Sequence, residues 1–107
     1  MPVSRAGEGP PDWCRWCGFG LYTCEDADVV EEHFHDAHEY WLICEGRVLI
    51  RTEGQEYEVG PGDIVFTKAG DTHDVVKVLE GPARWFWIED ELHGRRRPGH
   101  LHRGEDD

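Results

Sequence analysis

From Trp13 to about Asp90 the chain is a succession of short segments rich in β-branched and aromatic residues, each cut off by Gly, Pro or Asp. The segments 18–24, 28–35, 39–45, 47–52, 55–59, 63–67, 73–79 and 83–89 read as strands. Between them stand the turn signals Glu45-Gly46, Glu53-Gly54, Gly60-Pro61-Gly62, Ala69-Gly70-Asp71 and Glu80-Gly81-Pro82. No long stretch places apolar residues at helical spacing. Many short strands with regular turns point to an all-β sandwich or barrel. With 107 residues the chain is one domain. A domain of that size buries roughly two thirds of its unfolded surface. A closed barrel, a metal or a partner subunit would each supplement so modest a core.

The ends differ in composition from the middle. Residues 1–12, rich in Gly, Pro and charge, read as a flexible leader to a barrel over 13–90. Residues 91–107 form a charged tail with three His and four Arg. It is expected to be a loosely held extension. The alternative is that it folds back over a barrel mouth and brings Arg or His near a substrate.

There are 23 acidic against 11 basic side chains, a formal net charge of -12. Such a surface repels phosphate backbones, and Arg95-Arg96-Arg97 is too short to reverse that. No apolar run approaches the roughly 20 residues of a membrane span, and no signal-peptide pattern opens the chain. The expectation is a cytoplasmic protein that binds neither nucleic acid nor membranes. Cys14-Arg15-Trp16-Cys17 has the two-residue spacing of zinc and redox sites. No second pair completes a structural zinc site, and the redox version expects a βαβ context. These thiols read as structural or incidental.

His33-Phe34-His35 ends a predicted strand, and side chains on a strand alternate faces. Both imidazoles therefore point the same way, with α-carbons roughly 6.6 Å apart at about 3.3 Å per residue. Glu39 follows four residues later at the start of the next strand, and His73 opens a later strand after a Gly turn. Two alternate His, a Glu and a fourth ligand in these places can converge on one metal ion.

The run from His33 to Gly46 resembles the first motif of the cupin superfamily: His, any residue, His, three residues, Glu, six residues, Gly. Gly62, Gly70 and His73 match the second motif, while Lys68 stands where that motif has Pro and Lys77 where it has Asn. The resemblance spans about residues 29–90. It implies a cupin double-stranded β-helix, a jelly-roll-like barrel of six or eight strands with one divalent metal inside on His33, His35, Glu39 and His73. It also implies pairing of two copies into a homodimer. Three imidazoles and a carboxylate leave coordination positions open, as a catalytic ion needs. This donor set suits Fe, Mn, Ni, Cu or Zn better than Mg or Ca.

Alternation carries the reading further. Val29, Glu31, His33 and His35 should face inward on one strand, and Glu39, Trp41 and Ile43 on the next. Glu31 is a candidate acid or base inside the barrel, and Glu39 a ligand or base. Trp41, Ile43, Trp85 and Trp87 are candidate walls of a substrate pocket. His38 should be exposed, as a bystander or proton shuttle, and Cys44 should face away from the metal. The expected function is a metalloenzyme acting on a small polar molecule by oxygen-dependent cleavage, isomerisation or lyase chemistry. The alternatives are a binding or sensing module, and a zinc cupin assisting nitrogen–nitrogen bond formation in amino-acid conjugates. Direct control of transcription is not expected of a lone small cupin.

Overall fold

The computed structural model describes residues 3–25, 30–92 and 101. Among them are six strands and no helix: β1 (Gly18–Cys24), β2 (Val30–His33), β3 (Glu39–Thr52), β4 (Gln55–Val59), β5 (Ile64–Thr67) and β6 (His73–Glu89). No helix there is long and apolar enough to cross a membrane. The long strands β3 and β6 pair antiparallel from Glu39↔Glu89 to Thr52↔His73. Their two halves serve different neighbours. Near Glu39 the strand order is β1-β6-β3-β5, and near Thr52 it is β2-β6-β3-β4. Core residues come from both layers: Trp41, Ile43, Val65, Ala83 and Trp85 from one, Val48, Ile50, Val75 and Val78 from the other.

Six strands replace the eight expected, because Glu45-Gly46 and Glu80-Gly81-Pro82 bend the chain without reversing it. At these places the β3–β6 ladder slips register. Gly46 sits at φ +76, and a Cβ there would lie 2.5 Å from the Glu80 carbonyl oxygen and 2.7 Å from the Ala83 α-carbon. Only glycine admits both that φ and that approach. The slip also changes phase. Trp41 and Ile43 are buried before it, whereas Val48 and Ile50 are buried after it.

A further slip lies in β2, where Val30 pairs Val75 and His33 pairs His73. Three residues on β2 thus oppose two on β6. Val30 and His33 consequently share the inner face, and Glu31 is turned outward and exposed. The expectation that Glu31 enters the barrel is corrected by this bulge. Val29 lies outside the described residues, as do 93–100 and 102–107 of the tail. Leu101 is described, and its backbone forms a two-bond bridge with Phe34 (2.7 and 2.8 Å) between His33 and His35.

The outer face of the first layer is apolar. In register across it run the rows Phe19–Ile88–Tyr40–Phe66 and Leu21–Phe86–Leu42–Ile64. Phe66 is 69% exposed and Ile64 50%.

Candidate metal centre

The four expected ligands meet. His33, His35, Glu39 and His73 are all buried, and one donor atom from each lies within 4.8 Å of the others. His33 ends β2, His73 opens β6 beside it, Glu39 opens β3, and His35 lies in the connection from β2 to β3. The imidazole centroids are 4.3 Å (His33–His73), 5.0 Å (His33–His35) and 5.2 Å (His35–His73) apart.

Each ligand is held by neighbours. His33 Nδ1 lies 2.7 Å from the Glu31 carbonyl oxygen, which leaves Nε2 for the interior. His73 is braced on both sides. Before it, the Thr72 N–H and hydroxyl donate to Glu53 Oε2 at 2.7 and 2.8 Å. After it, buried Asp74 accepts two bonds from Arg51, at 3.2 and 2.7 Å. Glu39 Oε1 accepts from Trp41 Nε1 at 2.9 Å and lies 3.0 Å from His73 Nε2 and 3.4 Å from His35 Nε2. Burial alone would raise the Glu39 carboxyl. The close approach of the His35 and His73 imidazoles outweighs that, and holds it far below the usual carboxylate range.

This donor set fits a single ion. Metal–nitrogen and metal–oxygen bonds of about 2.0–2.2 Å place opposite ligands up to about 4.4 Å apart, close to the spread observed. Both ring nitrogens of His73 are buried without a geometrically sound hydrogen bond, although Nε2 is near Glu39. Buried polar atoms in that state are rare, and a bound cation would satisfy one of them.

Beside the ligands lies a cavity of about 360 Å³, lined by Tyr22, Val30, His33, Glu39, Trp41, Trp85, Trp87 and Glu89. Trp41 stacks on Trp85 (4.6 Å, 19°), and the Tyr22 ring lies 5.2 Å from Trp85 in a tilted arrangement. Trp41, Trp85 and Trp87 therefore stand at the wall, whereas Ile43 is buried in the adjoining core. Glu89 was not singled out from sequence. Its signal was present, since it continues the alternation of Trp85 and Trp87. Glu89 Oε2 lies 3.4 Å from His35 Nδ1. Burial raises its carboxyl, His35 opposes that, and Glu39 adds to it.

His38 is half-buried rather than exposed, because its Nδ1 accepts the Ala69 N–H at 2.9 Å and its carbonyl the Asp90 N–H at 2.9 Å. It braces the loop that precedes His73. Cys44 is exposed on the outer face, away from the ligands. Cys14 and Cys17 are free thiols in the segment before β1. Burial, then the nearby Glu89 charge, raises the Cys17 thiol.

The sequence profile of the AraC-like ligand binding domain matches residues 18–92, which takes in all six strands. The chain belongs to that family. It is a cupin, and solved structures share its fold. A cupin of Methanocaldococcus jannaschii with a double-stranded β-helix superposes with a TM-score of 0.67 at 11% identity, covering 73% of this chain and 72% of that one. The DMSP lyase DddQ from Ruegeria pomeroyi gives 0.68 at 22% identity, covering 84% of this chain and 45% of that one. An uncharacterized protein of Sinorhizobium fredii, y4oW, is 37% identical over 71 residues, 66% of this chain. The cupin spans about a third (32%) of that relative's length.

Proposed function

We propose that this cupin is a metalloenzyme that holds one divalent transition-metal ion on His33, His35, Glu39 and His73 and acts on a small polar molecule. The observation that carries this reading is that two of the four ligands, His33 and Glu39, also line the cavity. A molecule in the cavity would therefore reach the open side of the ion. When bound, the ion supplies Lewis acidity, or a site for dioxygen, at that wall. Glu39 serves as a ligand rather than a base, because its carboxylate is already shared among Trp41, His35 and His73. The Trp faces bind the body of the substrate and exclude water. Apart from His33, itself a proposed ligand, none of the described lining residues is basic, so an anionic group of the substrate belongs at the ion. The likeness to a lyase supports elimination among the reaction types expected of cupins.

Purified protein assayed for metals by mass spectrometry should carry about one equivalent of Fe, Mn, Ni, Cu or Zn per chain. A panel of small carboxylates, diols and amino acids is then followed for oxygen uptake and for product. Substrate-dependent oxygen loss selects oxidative cleavage, and turnover without it selects lyase or isomerase chemistry. The family's description as a ligand-binding domain favours a second reading, binding without turnover. Saturable calorimetric binding with no product would select it.

Two further expectations belong to this reading. None of the four cysteines is in a disulfide, which is compatible with a reducing, cytoplasmic setting. The apolar outer face of the first layer supports pairing with a second copy, so light scattering should give about twice 12.3 kDa and Phe66→Glu should lower it.

A further inference from the structure

Two carboxylates flank one imidazole. Glu39 and Glu89 are register partners on β3 and β6, and both side chains face the cavity. Between them stands His35, with Nε2 3.4 Å from Glu39 Oε1 and Nδ1 3.4 Å from Glu89 Oε2. The imidazole is 2% exposed, so water barely screens it from these carboxylates.

An imidazole that ligates through Nε2 must carry its proton on Nδ1. A carboxylate facing Nδ1 favours that tautomer, fixes the ring plane and makes the ligating nitrogen more basic. Glu89 has these properties and lies outside both cupin motifs. We infer that Glu89 is a positioning residue, which holds His35 as the Nδ1-protonated tautomer and so presents Nε2 to the ion. This inference rests on the metal-centre reading above. Because Glu89 also lines the cavity, it couples the pocket to the ion. A cationic or hydrogen-bonding group of the substrate that reached Glu89 would alter the donor strength of His35.

The test uses Glu89→Gln, which keeps the shape and removes the charge, Glu89→Asp, which keeps the charge, and Glu91→Gln as a control on the same segment. Zinc affinity is measured by competition with a chromophoric chelator. Long-range proton–nitrogen spectra report the His35 tautomer with and without zinc. Glu89→Gln should weaken zinc about 10–100-fold and populate the Nε2-protonated form of His35 in metal-free protein. Glu89→Asp should restore part of the affinity, and Glu91→Gln should match the wild type. Zinc affinity in Glu89→Gln within twofold of wild type, with His35 unchanged, would overturn the inference. If the wild type itself bound no zinc or other divalent metal, the metal-centre reading would fail. The His35 tautomer in metal-free wild type against Glu89→Gln would still decide the role of Glu89.

Discussion

The indole of Trp87 lies against Gly20, its register partner on β1, so closely that a Cβ at position 20 would be 2.7 Å from the indole nitrogen. Trp87 is one wall of the cavity, and Gly20 makes room for it. Gly20→Ala must push a rigid ring towards the cavity or strain β1. Overpacking of this kind costs about 1–3 kcal/mol. We expect a lower thermal midpoint, a shifted tryptophan emission, and weaker binding of any cavity ligand with zinc content unchanged. Unaltered emission and ligand affinity would show that the wall is more yielding than this packing implies.

Gly46→Ala should be more damaging. It combines a left-handed φ with a clash against the backbone of β6, which cannot rotate away as a side chain could. Strain at such a position costs on the order of 1–3 kcal/mol before the clash is counted. For a domain near 100 residues each kcal/mol lowers the midpoint by about 4–8 °C. Calorimetry should therefore find a loss of roughly 10 °C or more.

His33→Ala and His73→Ala each remove one of the four proposed ligands. Each should weaken zinc binding by more than the 10–100-fold typical of outer partners. Metal content after dialysis should fall well below one per chain, while circular dichroism still reports strand. Full occupancy in both variants would mean that the ion binds elsewhere or not at all.

The Glu39 carboxyl supplies a pH signature in metal-free protein. Its folded value is lowered, so its contribution to stability is present above the unfolded value of about 4.3 and is lost as the pH falls towards the folded value. Wild-type stability relative to Glu39→Gln should therefore decline below about pH 5, with a slope approaching 1.4 kcal/mol per pH unit. Denaturant titrations from pH 3 to 7 in the presence of a chelator measure this. A difference independent of pH would contradict the shift.

His33, His35, Glu39 and His73 could be read from the chain because their spacing is itself the chemistry. Alternation puts two imidazoles on one face, and a Gly turn delivers the fourth ligand. Trp85 and Trp87 gave the phase of β6, and Glu89 continues it. Glu31 was misplaced for a reason no alternation rule contains. One extra residue in β2 between Val30 and His33 breaks the alternation that would have put Glu31 on the face of His33.

The residue pattern alone thus determined the all-β architecture and the residues of the candidate metal centre, since both depend on side-chain type and on local period. Tertiary structure decided what depends on the partner strand. Gly46 and Gly81-Pro82 look like turns in isolation, yet they are bends, because β3 and β6 stay hydrogen-bonded on both sides of them. Pairing across the sheet likewise set Glu89 opposite Glu39, 50 residues away, with His35 between them. A one-residue slip is invisible in sequence, and it exchanges the inside of a barrel for its outside.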